Sequence, residues 1–271
     1  MGVSVVIPLY NQQAYTKICL ESLHANSTGL DKTVVIDNGS SDGTAEYLAA
    51  CADIQVISNS VNLGCAAAWN QGVKATHSEW VVILNNDVIV SPDWLAGMID
   101  FAERNEFDIV SPAFREGEYN YEIKVYSREF VQKMASASRM GVAHGVCFMV
   151  RRQIFEKVGY FDENFRIGQF EDTDFFRRAK NNGFRLGTTG ASFIHHFGSV
   201  TQNSIRRNRE ASPYEAENRA YYRRKWSLSW WDRFWERRKS KFQGFVWRTK
   251  EKWLYGHSLI EKWLDGRLRY Y

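Results

Sequence analysis

The first ninety residues alternate between short apolar runs and amphipathic stretches. "VSVVI" is closed by Pro8, and the following "NQQAYTKICLESLHAN" sets Tyr15, Ile18, Cys19 and Leu23 on one helical face. "KTVVIDNGSSDGT" reads as a second strand ending in a polar, glycine-rich turn. After it come a helix in "GTAEYLAACA", a strand in "IQVISNS", a helix of small residues in "NLGCAAAWNQGVKAT" and a fourth strand in "EWVVILNND". Strands and helices in strict alternation predict a mostly parallel sheet with helices on both faces.

Further along, "WLAGMIDFAERN" predicts a helix and "FDIVSPAF" a strand, whereas residues 114–140 show no clear period. "HGVCFMVRR" predicts a strand, "RQIFEKVGYFDENF" a helix and turn, and "EDTDFFRRAKNNGFRLG" a helix capped at Asn181-Asn182-Gly183. "TGASFIHHFGS" closes this part of the chain.

One stretch breaks the apolar pattern. "VVILNNDVIVSP" sets Asn85, Asn86 and Asp87 inside what otherwise reads as a buried run. Burying an unpartnered polar group costs roughly 1–3 kcal/mol, so the strand is expected to stop at Leu84 and the polar residues to face a cleft. The other polar clusters, at Tyr10-Asn11, Asp37 to Thr44 and Asn62 to Gly64, also follow predicted strands. In open α/β sheets, ligands bind outside the carboxyl ends of the strands.

Composition adds a boundary. From Tyr221 to the end there are 14 Lys/Arg against 5 Asp/Glu, a net +9; the whole chain carries +4, which leaves −5 for residues 1–220. Seven of the ten tryptophans lie in the same tail. A segment junction is therefore placed near residue 220, with residues 221–271 as a basic, Trp-rich helical tail. Trp226, Trp230, Phe234 and Trp231, Phe242, Phe245 and Trp253 recur there at helical offsets, with Lys and Arg between them. That pattern suits packing on the domain, a homodimer contact, or docking on a membrane surface. No apolar run approaches the roughly 20 residues of a membrane-spanning helix. "MGVSVVIPLYN" has no basic leader region and reads as a strand. Cys19, Cys51, Cys65 and Cys147 lack metal or disulfide spacing and are expected to be reduced, in a cytoplasmic protein.

The chemistry-bearing residues each admit two readings. Asp87 is either a turn residue or one carboxylate of a metal-bridged diphosphate site; Asn85 points to the same side. Asp37 either closes an Asx-rich turn or accepts from a nucleobase or ribose. No G-x-G-x-x-G is present, so a Rossmann dinucleotide site is not supported. Glu171, Asp172 and Asp174 either complement a helix N-terminus, with Asp174 pairing to Arg178, or include a general base. His195 and His196 are either core histidines or include a metal ligand.

Together, "VSVVIPLYNQ", "VVIDNGSSDGT", "NLGCAAAWNQG", "ILNNDV", "VGYFDENF", "EDTDFFRRAKNNGFRL" and "HHFGS" resemble the inverting family 2 glycosyltransferases of GT-A fold over nearly all of residues 3–200, with the nearest likeness to bacterial rhamnosyltransferase-like and galactofuranosyltransferase-like members. The resemblance implies a GT-A catalytic domain over 1–220, its nucleotide-binding half at about 1–110 and its acceptor half at about 111–220. It implies that Pro8, Tyr10, Asn11, Asp37, Asn38, Asn62, Gly64, Asn85 and Asn86 hold the nucleotide. Asp87 and His196 would bind Mn²⁺ or Mg²⁺, and Asp172 would be the catalytic base. Glu171, His144 and Gly145 are the acceptor-side candidates. One departure is Asn85, which replaces the first acid of the family's D-x-D motif with a neutral side chain and so puts the strength of metal binding in question.

The expected partners are a UDP-, dTDP- or GDP-linked sugar donor and a glycan, lipid-linked or protein acceptor. Acceptor-selecting residues are expected within 114–144 and after 197. The expected location is the cytoplasm, with the tail on the inner face of the membrane as one reading. Two other classes stand beside this one. A nucleotidyltransferase would need a basic, glycine-rich loop after the first strand, which "PLYNQQAY" lacks; a basic nucleic-acid-binding or membrane-binding protein would rest on the tail alone.

Overall fold

The computed structural model describes residues 2–198, 200 and 214–271. Its first half is the alternating unit that the sequence pattern predicts. Strands β1 (Val3–Leu9), β2 (Lys32–Asp37), β3 (Gln55–Ser58) and β4 (Trp80–Leu84) are connected through helices α1 (Gln13–Asn26), α2 (Thr44–Ala49) and α3 (Cys65–Lys74). All four strands run parallel, in the order β3-β2-β1-β4.

Alternation along these strands divides the core. Val3, Val5, Ile7 and Leu9 of β1 and Trp80, Val82 and Leu84 of β4 face one apolar cluster, with Cys19, Leu20 and Leu23 of α1. Val6, Val81 and Ile83 face the opposite cluster, with Ala66, Ala68, Trp69 and Val73 of α3. Each buried aliphatic or aromatic side chain contributes roughly 1.5–3 kcal/mol, so a one-residue slip of either strand would exchange the two faces. Gly72 lets α3 approach closely: a Cβ there would meet Val6 Cγ1 at 2.2 Å.

The second half widens the same sheet. β5 (Val88–Val90) follows the polar interruption, and α4 (Trp94–Asn105) packs Trp94, Leu95, Met98 and Ala102 into the first cluster. Residues 114–140, without a clear period in sequence, are ordered. β6 (Ile109–Gly117) runs on through Phe114 to Gly117, and α5 (Ile123–Met134) and β7 (Ser138–Met140) follow. β8 (Cys147–Arg151) inserts antiparallel between β4 and β6. α6 (Gln153–Val158) and α7 (Glu171–Asn181) cover the second cluster, and β9 (Leu186–His196) pairs with β5, β6 and β7.

The tail is helical for most of its length but not to its end. α8 (Tyr214–Lys225) spans the composition boundary at residue 220, and α9 (Trp230–Tyr255) begins with a Ser229–Asp232 capping box. The chain then returns as a hairpin, β10 (Ile260–Leu264) and β11 (Arg267–Tyr270), and β10 adds to the main sheet beside β6. Asp265 and Gly266 turn the hairpin with φ of 52° and 69°, the conformation that a two-residue Asp-Gly loop favours. An all-helical tail is thus corrected: its last strands alternate too briefly to stand out from a basic, aromatic helix in the sequence.

One buried ion pair ties the tail to the domain. The Arg139 guanidinium in β7 donates to both Glu251 oxygens of α9 at 2.8 Å, to Ser258 and to the Tyr271 carbonyl. Both charged side chains are nearly inaccessible. Removing one partner strands the other charge, which costs about 3–5 kcal/mol. Arg139→Met is expected to lower unfolding stability by that amount in urea titration, and Arg139→Met combined with Glu251→Leu is expected to recover most of the loss.

Candidate active site

The first four strands reverse their order at β1. The chain leaves β1 toward β2 and β3 on one side, and β4 lies on the other. Helices that depart in opposite directions leave a crevice at such a switch point. Here it is a cavity of about 560 Å³. Pro8, Leu9 and Tyr10 at the end of β1 and Asn85, Asn86 and Asp87 at the end of β4 line it, joined by Asn38, Asn62, His144, Gly145, His196 and residues 167–173.

Three expected nucleotide residues, Asn11, Asp37 and Gly64, are not in its wall. Each makes a hydrogen bond that shapes a loop beside it. Asn11 Oδ1 accepts from Ser41 N and Asp37 Oδ1 from Ser40 N, which folds the glycine-rich turn. The Gly64 carbonyl accepts from Asn38 Nδ2, which also reaches Asn62 Oδ1. Asn86 lines the cavity, but its amide donates to Thr16 of α1 at 3.0 Å.

The strand pleat separates the two histidines. His196 faces the cavity, while His195 turns into an aromatic cluster, its Nδ1 at 2.9 Å from the Tyr121 hydroxyl. Burial holds His195 neutral, at about 3. His196 Nε2 lies 3.5 Å from Asp87 Oδ2, and its Nδ1 lies 3.4 Å from Glu116 Oε2, an ion-pair distance without an aligned hydrogen bond. Lys262 of β10 in turn reaches Glu116 at 2.7 Å. Burial opposes charge on His196, but the two carboxylates outweigh it and lift the imidazole to about 9. Asp87 is held below the ordinary carboxylate range: burial acts to raise it, and His196 more than offsets that.

The three acids that open α7 divide by environment. Asp174 is fully buried and spent on structure. It pairs with Arg178 and Lys225 and accepts from the Trp226 indole, all at 2.9 Å, which fastens α8 to α7. Asp172 is half-buried on the cavity wall and accepts from Thr173 N at 2.6 Å. Burial raises its carboxyl above the ordinary value. Glu171 beside it is buried with Oε2 unpartnered, and burial followed by the Asp172 charge pushes it to about 8. His144 lines the same wall and is held neutral, at about 4, by burial.

The loop before α7 is strained. Ile167, Gln169 and Phe170 have φ of 58°, 75° and 75°. Such backbone costs roughly 1–3 kcal/mol per residue and persists only where its surroundings fix it. Asn218 of α8 does so: its Nδ2 donates to the Arg166, Gly168 and Gln169 carbonyls, and its Oδ1 accepts from Arg166 N. Sequence reading missed Asn218, Glu116 and Lys262. Glu116 carried a usable signal, as an acid ending a strand that "FDIVSPAF" already announces. Asn218 and Lys262 have none, since their contacts cross 50 and 146 residues. Of the acceptor-selecting region expected after 197, residues 199 and 201–213 lie outside the described residues.

Fold and cleft define an α/β protein of the GT-A class, with its candidate site at the sheet's switch point. The family model described as glycosyl transferase family 2 matches residues 4–159, more than half of the chain, and the chain belongs to that family. It is similar to the glycosyltransferase AglE of Haloferax volcanii, 25% identical over 245 residues, which cover 84% of this chain and 79% of that protein. It is also similar to the uncharacterized glycosyltransferase EpsJ of Bacillus subtilis, 27% identical over 204 residues, or 66% of this chain and 57% of that one. The chain thus spans little more than half the length of EpsJ.

Among solved structures, GalNAc-T7 with UDP, GalNAc and Mn²⁺ superposes with TM-score 0.59 at 16% identity, over 72% of this chain and 44% of that one. S. aureus TarS 1–349 in complex with UDP gives 0.59 at 18%, over 72% and 60%. At these identities the likeness is one of fold.

Gly145 gives a test of the site geometry. A Cβ there would lie 2.3 Å from Asp172 Oδ2. Gly145→Ala is expected to fold normally by circular dichroism while displacing that carboxylate, and to lower sugar-donor turnover by about 10²-fold. Unchanged turnover would mean that the position of Asp172 does not matter to the chemistry.

Proposed function

We propose that the protein transfers a hexosyl or deoxyhexosyl unit from a nucleoside-diphosphate sugar to an acceptor hydroxyl, by one displacement with inversion, in the assembly of a surface glycan or glycoconjugate. The observation that carries this reading is one switch-point cleft lined both by a hydrogen-bonded carboxylate, Asp172, and by the Asp87–His196 pair. UDP in the TarS structure, and UDP with Mn²⁺ in the GalNAc-T7 structure, support a nucleotide donor and a divalent cation.

Pro8, Tyr10, Asn38 and Asn62 offer the surface for the nucleoside, with Asn11, Asp37 and Gly64 shaping their loops. Asn85 supplies a neutral hydrogen-bonding group where the family motif has an acid. Asp172 takes the acceptor's proton as the hydroxyl oxygen bonds to the anomeric carbon. Its burial suits this, since a carboxyl raised above its ordinary value is a stronger base than an exposed one. The bond from that carbon to the diphosphate oxygen breaks on the opposite face, which inverts the configuration. Glu171, His144 and Gly145 line the same cavity as Asp172 and are the acceptor-side residues of this reading.

A cation fits the residues present. Among the described residues no group of three or more His, Cys, Asp or Glu side chains could hold a metal, so the protein offers two donors, Asp87 and His196. A Mg²⁺-sized ion sets neighbouring donors about 3 Å apart, close to their 3.5 Å. Diphosphate and water oxygens would fill the remaining positions, as small divalent ions prefer. When bound, Mn²⁺ or Mg²⁺ supplies positive charge that stabilises the departing diphosphate. Glu116, braced by Lys262, lies 3.4 Å from the far nitrogen of the His196 ring, the side on which a carboxylate commonly stands behind a metal-binding histidine.

Asp172→Asn is expected to fold, to bind nucleoside diphosphate and to lose about 10²–10⁴-fold in transfer; transfer within a few-fold of wild type would remove Asp172 from the base role. His196→Ala is expected to weaken Mn²⁺ binding in the presence of UDP by about tenfold or more in isothermal titration. Full turnover in excess chelator would exclude the cation from the reaction.

A further inference from the structure

The long helix α9 has two opposed faces. Trp247, Glu251 and Tyr255, four residues apart, turn toward the domain: Glu251 is buried against Arg139, and the Trp247 ring lies under the same guanidinium at 5.6 Å. At 100° per residue, the opposite side carries Trp231, Trp235, Phe242, Phe245 and Trp253. These are 63%, 62%, 69%, 55% and 82% exposed. Among the described residues, eight of the seventeen exposed large hydrophobic side chains sit on this one helix. Monomeric proteins seldom leave such a patch without a partner.

The charge around the patch is mostly positive. α9 holds eight Lys/Arg against three Asp/Glu. Glu251 is consumed by Arg139, Glu236 faces Arg177 at 3.3 Å, and Asp232 closes the capping box. A groove of about 590 Å³ between α9 and α7 joins Trp231, Trp235 and Phe242 to Arg177, Arg238 and Lys239.

We infer that this face docks on an anionic lipid bilayer. Trp side chains favour the headgroup boundary, where an apolar ring and a polar edge are both accommodated. Lys and Arg beside them gain from anionic headgroups. Among the described residues no helix is long and apolar enough to cross a membrane, so the contact is made along the surface. A second copy of the chain fits less well, because two such faces would set like charges against each other, and Lys is depleted from protein interfaces.

The placement has a use that rests on the sugar-transfer reading. Arg177 lies on α7 five residues beyond Asp172, about 7.5 Å along the helix axis. Docking α9 therefore brings the helix that carries the base toward the headgroup layer, where an acceptor carried on a lipid would enter the cleft.

Co-sedimentation of the full chain with vesicles tests the contact without using activity. Binding is expected to phosphatidylcholine mixed with phosphatidylglycerol, weakly or not at all to phosphatidylcholine alone, and to fall as salt rises. Arg238→Glu with Lys239→Glu is expected to lower partitioning about tenfold or more, and Trp235→Ser with Trp253→Ser to weaken it as well, with circular dichroism and turnover of a soluble donor unchanged. Equal affinity for both vesicles, or none for either, overturns the inference. So does a dimer that the Trp variants dissociate while vesicle binding persists, or retention on nucleic acid with the vesicles ignored. Vesicle binding without any donor turnover would leave the docking face standing and remove the sugar-transfer reading instead.

Discussion

The structure depends on the point where two fully buried parallel strands must stop. β1 and β4 lie side by side with apolar side chains on both faces, and neither can carry a polar side chain without a partner. Their register pairs Val6 with Ile83, so β1 runs two residues past the level of Leu84. Past Leu9 the chain leaves into α1, and past Leu84 it turns through Asn85–Asp87 into β5, so two polar exits stand side by side. The cleft is what remains between them, and its polar lining is the material that the strands could not bury.

In and around that cleft, neighbouring groups of one chemical type take different tasks according to what surrounds them. Asp174 and Asp172 lie two residues apart on one helix. The first faces Arg178, Lys225 and the Trp226 indole and is a fixed part of the scaffold. The second accepts from Thr173 and from the Asp172 and Gly145 backbone and stays open to the cavity. His195 and His196 divide in the same way across the strand pleat. What separates a scaffold residue from a candidate catalyst here is the direction of one side chain.

The tail is built into the site as well as attached beside it. Asn218 of α8 fixes the strained loop that presents α7, and Lys262 of β10 braces Glu116 behind His196. The Arg139–Glu251 pair anchors the long helix from which β10 follows, whereas α8 is fastened by Asp174 through Lys225 and Trp226. Loss of the Asn218 clamp would be felt at the cleft, because the strained loop needs it to stay in the left-handed conformation.

The sequence by itself determined the alternating strands and helices, the halt at Leu84 and the grouping of Pro8, Tyr10, Asn62, Asn85 to Asp87 and Asp172 near strand and helix ends. These are local matters: apolar period and the cost of an unpaired polar group act within a few residues. Tertiary structure alone decided the rest. It set Asn11, Asp37 and Gly64 to hydrogen-bonding the loops at the cleft, gave Asp174 to the scaffold and turned the end of the tail into strands beside β6. It also brought Asn218, Glu116 and Lys262 to the site. Each of those outcomes depends on contacts between distant segments, whose partners are set by how three-dimensional packing satisfies buried charge and backbone, and no spacing along the chain records that.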